Sequence, residues 1–96
     1  GWPVAEAMAS GCPVITTNRA PMNEVGGDAA IYIERCPSPD AIISWATASA
    51  EIVETTLQLT EKERDTVIQK GLEQSKRFNG KDILDQIEVF YQSILE

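Results

Sequence analysis

Two short apolar runs, residues 13–17 and 29–33, constrain the fold of this chain more than any other feature. Each is rich in β-branched residues, and turn formers bound them: Gly11-Cys12 and Asn18 around the first, Gly26-Gly27-Asp28 before the second. That is the texture of buried strands. About a dozen residues separate the runs, too many for a tight hairpin and about what parallel strands require. The segment between them carries Pro21, Asn23 and the glycine pair, and reads as a loop with one helical turn at 22–25. The expected fold class is therefore α/β, two parallel strands with flanking helices.

Helical patterning surrounds the runs. Residues 1–11 are expected to form a short helix: Pro3 suits a first turn, Ala5, Ala7, Met8 and Ala9 favour helix, and Gly11 suits a left-handed stop. After Cys36, three helices are expected to start near 39, 60 and 81. Ser38-Pro39-Asp40 combines a capping hydroxyl, a proline and an acid at the positive end of the macrodipole, and Ile42, Trp45, Ser49 and Ile52/Val53 then share a face. Thr60 and Glu63 have capping-box spacing ahead of Val67, Ile68, Leu72 and Ser75, and that helix is expected to end near Phe78. In the last helix Ile83, Ile87, Phe90 and Ile94 form a stripe that Leu84, Tyr91 and Leu95 widen. Trp45, Tyr32, Phe78, Phe90 and Tyr91 fall on apolar faces and are expected in core or interface packing.

Two strands leave both sheet edges and much of both faces uncovered. The expectation is one piece of one domain, spanning residues 1–96, with a preceding strand and loop upstream of Gly1. The uncovered apolar surface carries a second expectation, that the chain alone associates with itself.

Composition sets the class of partner. Hydrophobic residues are 43% and charged residues 24%, the balance of a soluble globular protein. The formal net charge of -7 opposes binding to phosphate backbones, so nucleic acid is not an expected partner. Residues 1–35 hold four acids and two bases; the remainder holds eleven and six, interspersed at helical spacing as on solvated faces. No apolar run approaches the roughly 20 residues that span a bilayer, and no leader opens the chain, so no transmembrane segment and a cytoplasmic location are expected. Cys12 and Cys36 are expected to be free thiols, and with no His in the chain a Cys/His zinc site cannot be built internally.

Glu6 is the candidate for chemistry, an acid among small and apolar residues in a helix that leads into a strand. A carboxylate only accepts hydrogen bonds, which suits it to paired hydroxyls such as those of a ribose. The adjoining helix N-terminus favours an anion, and close backbone approach at Gly1 leaves N–H groups for phosphate or sugar oxygens. Such a site has the open α/β form, outside the strand ends. A second reading is that Glu6 complements the helix dipole. Of the other polar residues, Glu24 reads as a loop or helix-start brace, Thr16 and Thr17 as strand-end residues with lining of the cleft as the second reading, and Cys12 as a small buried hydrophobe.

The words Gly-Trp-Pro-Val-Ala-Glu-Ala-Met-Ala-Ser-Gly-Cys-Pro-Val-Ile-Thr-Thr-Asn and Asn-Glu-Val-Gly-Gly-Asp-Ala-Ala-Ile-Tyr-Ile resemble the family 4 (group 1) retaining glycosyltransferases. In that signature a Glu, seven intervening residues and a second Glu precede Ala-Met-Ala-x-Gly-x-Pro-Val. Glu6 matches the second glutamate; the first falls upstream of Gly1. The resemblance covers residues 1–34 and continues loosely in Lys70-Gly71-Leu72 and Arg77-Phe78. Asn23, Arg35-Cys36 and Gly80 stand where the family often has Pro, Asp-Pro and Trp, which bears on subfamily rather than family.

The resemblance implies a fragment of the Rossmann-like carboxy-terminal domain of a GT-B enzyme, which binds a nucleotide-sugar donor and transfers the sugar to an acceptor with retention of configuration. It implies that Glu6 accepts hydrogen bonds from the ribose hydroxyls, and that the main chain at Gly1 and Trp2 helps hold the sugar or diphosphate. The Trp2 side chain is equally a packing residue. No metal or other cofactor is implied. The family's basic phosphate clamp lies earlier in the same domain and its acceptor groups in the amino-terminal domain, so this piece alone is expected to be catalytically silent. The alternative is a non-catalytic nucleotide-binding or interaction module that retains the half-fold.

Overall fold

The computed structural model describes residues 2–78 and 80–95, and the side chains of all of these except 80–87. The chain is mixed α/β. In order come α1 (Trp2–Ala9), β1 (Ile15–Thr17), α2 (Met22–Gly26), β2 (Ile31–Ile33), a 3-10 turn (Pro39–Ala41), α3 (Ile42–Leu57), α4 (Glu61–Ser75) and α5 (Gly80–Leu95).

The strands are parallel, with Ile15 opposite Ile31, Thr16 opposite Tyr32 and Thr17 opposite Ile33. One further bond continues the ladder at each end, Ile31 N–H to the Val14 carbonyl at 2.8 Å and Asn18 N–H to the Ile33 carbonyl at 3.0 Å. Both strands are shorter than the apolar runs that contain them, and their residues are half-buried rather than buried. The buried positions, Val14 and Ala29, sit just before the strands. A two-stranded sheet has two free edges, so its central residues keep contact with solvent.

The core lies beside the sheet, where Val4 and Met8 of α1 meet Val14 and Ala29, with Met22 and Val25 of α2 against them. Met8 is only 1% exposed. α1 packs chiefly on α4 and also on α2. Gly71 of α4 is buried against Met8, where a Cβ would meet Met8 Cγ at 3.4 Å, an ordinary packing distance.

Local chemistry explains the boundaries. A Schellman turn ends α1: Cys12 N–H donates to the Ala7 carbonyl at 3.0 Å and Gly11 N–H to the Met8 carbonyl at 3.1 Å. Gly11 takes φ 78°, which suits a residue without Cβ. This turn places Cys12 at the surface, exposed rather than buried as the sequence predicts. Both cysteines are free. The capping box on α4 forms in full, Glu63 N–H donating to Thr60 Oγ1 at 3.1 Å and Thr60 N–H to Glu63 Oε1 at 2.9 Å. The Thr60 backbone N–H bonded to the carboxylate, and secondarily the Thr60 side chain, hold the Glu63 carboxyl below its ordinary pKa.

α3 departs from the sequence reading at its start. Ser38 is extended and makes no side-chain cap bond. The 3-10 turn precedes the α-helix, and the Trp45 indole N–H on its inner face donates to the Glu34 carbonyl. Trp45, Ser49, Ile52 and Thr56 are the half-buried face, while Ile42 and Val53 are exposed. Val67, Ile68, Leu72 and Ser75 of α4 are half-buried, and α4 ends three residues before Phe78. Tyr32 and Phe78 are half-buried, but Phe90 and Tyr91 are exposed at 63% and 62%, as are Ile94 and Leu95. Ile83, Leu84 and Ile87 lie outside the described side chains.

Candidate functional site

α1 divides by helical spacing. Val4, Ala5 and Met8 recur on one face and are buried; Trp2 and Glu6, one turn apart, lie on the opposite side. The Trp2 indole N–H donates to Glu6 Oε1 at 2.9 Å. Trp2 is half-buried and Glu6 exposed. The Glu6 main chain is engaged separately, its carbonyl accepting from Ser10 N–H at 3.1 Å and from Ser10 Oγ–H at 3.0 Å.

Glu6 is the fifth residue of α1, beyond the first turn. The helix dipole acts mainly within that turn, which weakens dipole compensation as the reason for an acid here. The arrangement presents a carboxylate with one oxygen held by an indole and the rest of its acceptor capacity facing solvent. Such a group binds donors, vicinal hydroxyls among them. Gly1, the third site residue read from the sequence, lies outside the described residues.

The other polar residues are dispersed. Thr16 and Thr17 are half-buried in β1, Glu24 is exposed in the first turn of α2, and Arg19 is exposed after β1. Among the described residues, no group of three His, Cys, Asp or Glu is arranged to hold a metal ion, and no helix is long and apolar enough to cross a membrane.

Among the described residues, open clefts lie along α4, by α2 and beside β2, and neither Trp2 nor Glu6 lines these. One, of about 870 Å³, runs along α4 beside Asp28 and is lined by Lys62, Lys70 and Arg77 together with Asp65 and Glu73. The sequence places these residues on a solvated helix face, and their recurrence at helical spacing is the available signal. Three bases face three acids, so the groove carries no net charge to concentrate an anion. A second cleft of about 550 Å³ lies by α2 and includes Asn18, Asn23, Glu24 and Tyr32. Tyr32 Oη–H donates to the Gly27 carbonyl at 2.6 Å. Burial raises its phenol pKa, with the Asp28 charge as a smaller cause. The third, about 640 Å³, is apolar, with Ile31, Ile52, Leu59 and Val67 on its walls.

No protein-family model, no curated protein and no solved structure matches this chain.

Proposed function

We propose that this chain is part of the nucleotide-sugar-binding domain of a retaining glycosyltransferase of the GT-B type, and that Glu6 accepts hydrogen bonds from the donor's ribose hydroxyls. One observation carries the reading. The Glu that the family signature assigns to ribose is the acid that α1 turns away from the core, with its carboxylate oriented by Trp2 and open to a ligand. The helix, left-handed glycine stop and parallel strand that follow it are in keeping with a Rossmann-like half-fold.

In this reading Glu6 and Trp2 contribute to donor binding, with the main chain at Gly1 beside the sugar or diphosphate. The transferred sugar leaves a diphosphate whose developing charge needs basic groups. Arg19 is the basic residue nearest the signature in sequence, and it is exposed beyond β1. The phosphate clamp and acceptor site therefore belong to other parts of the full-length enzyme, and the 96-residue chain is catalytically silent by itself.

Calorimetry of donor binding to the full-length enzyme tests the assignment. Glu6→Gln turns one acceptor oxygen into a donor, and the expected loss is about 1–3 kcal/mol for a charge-assisted bond. Unchanged donor affinity would remove Glu6 from the site.

A further inference from the structure

We infer that Trp2 is a positioning residue for Glu6: its indole N–H holds one carboxylate oxygen so that the other is presented to the ribose. This rests on the donor-site reading above. The two side chains are one helical turn apart on the outward face of α1, and the indole nitrogen lies 2.9 Å from Oε1.

The chemistry of the pair is asymmetric. An indole N–H donates and cannot accept, so it takes one of the carboxylate's roughly four lone-pair sites and never competes for the hydroxyl protons of a ligand. The remaining sites suffice for two vicinal hydroxyls. An exposed glutamate without a partner rotates about three side-chain torsions, and a ligand must order it on binding. A tryptophan ring turns about only two, and here it is half-buried against the protein. The indole thus orders the carboxylate in advance, and binding loses less freedom. The consequence is specificity. The oriented oxygen rewards a ligand with both ribose hydroxyls and gives less to one that lacks the 2′-hydroxyl.

The test uses the full-length protein with ADP, GDP and UDP, each beside its 2′-deoxy counterpart, and compares wild type with Trp2→Phe, which keeps a ring and deletes the N–H. Trp2→Phe is expected to weaken the preferred ribonucleotide about two- to tenfold, the worth of one pre-ordered side chain, and to narrow the ribo-to-deoxy ratio. A wild-type preference that persists unchanged in Trp2→Phe overturns the role of Trp2 and leaves the ribose site standing. A wild type that binds both forms equally overturns the ribose site, and the role of Trp2 with it.

A second measurement needs no folded variant. In ¹⁵N-labelled wild type, the Trp2 indole N–H resonance, separated from that of Trp45, is expected to shift on adding the preferred ribonucleotide and to shift less with its deoxy form. A resonance indifferent to the ribonucleotide overturns the proposal.

Discussion

Replacing Gly27 with alanine probes the tie between α2 and α4 on which the small core depends. Gly27 caps α2 at φ 52° and ψ -137°, a backbone conformation that L-residues rarely adopt. Holding a Cβ at this φ and ψ, outside the left-handed helical well, costs about 1–3 kcal/mol. The added methyl would also lie 2.8 Å from Gln74 Nε2, the far end of a flexible side chain that can rotate away. In rotating, Gln74 gives up its hydrogen bond to the Val25 carbonyl at 2.8 Å, a loss of about 1 kcal/mol. The stiffer unfolded chain returns roughly 0.4–1 kcal/mol. The net expectation is a destabilisation of about 2 kcal/mol.

Urea unfolding followed by far-UV circular dichroism, at matched protein concentration, reads this directly. At a slope of about 1–1.5 kcal/mol per M, the midpoint falls on the order of 1.5 M. Gln74→Ala alone removes the same hydrogen bond and costs about 1 kcal/mol. The double variant should then be no less stable than Gly27→Ala, a coupling of about 1 kcal/mol. Fully additive effects, or an alanine variant as stable as the wild type, would show that Gln74 does not join α4 to α2 as described.

Two further predictions follow from the same structure. Because the Thr60 bonds lower the Glu63 carboxyl pKa, its contribution to stability is full above the ordinary glutamate value of 4.5 and is lost as pH falls through the lowered one. Glu63→Gln should flatten that acid limb of urea midpoints against pH, and an unchanged limb would separate the capping box from the effect. The exposed apolar side chains of α3 and α5, among them Ile43 at 79% and Leu57 at 73%, favour association of the isolated chain, which the charge of -7 opposes weakly at physiological salt, where screening acts within about 8 Å. Sedimentation should show a mass that rises with concentration; a single monomer species throughout would contradict it.

Much of the fold was legible because local chemistry and tertiary structure agree. The spacing of two apolar runs led to parallel strands with Ile15–Thr17 beside Ile31–Ile33, Gly11 to a left-handed stop, and Thr60 with Glu63 to a capping box, each a rule that acts over a few residues. Non-local geometry was less legible. Gln74 reaches Val25 across 49 positions, and nothing in either neighbourhood marks the pair. The exposure of Cys12 follows from the turn at Gly11 and that of Ile42 from the preceding 3-10 turn, neither of which periodicity reveals. At the candidate site, Glu6 was visible as an acid out of place among small residues. Its bond to Trp2 is not legible from the one-turn spacing alone, because a tryptophan ring serves packing as readily as its N–H serves as a donor.

Whether Glu6 holds a nucleotide ribose is read from a crystal structure of the full-length protein with its preferred nucleoside diphosphate. Both ribose hydroxyls are expected within about 3 Å of the Glu6 carboxylate, a normal O–H···O distance, with the Trp2 indole still on Oε1. A ribose bound elsewhere, for instance in the groove along α4 between Lys62 and Arg77, with Glu6 facing solvent, would contradict it.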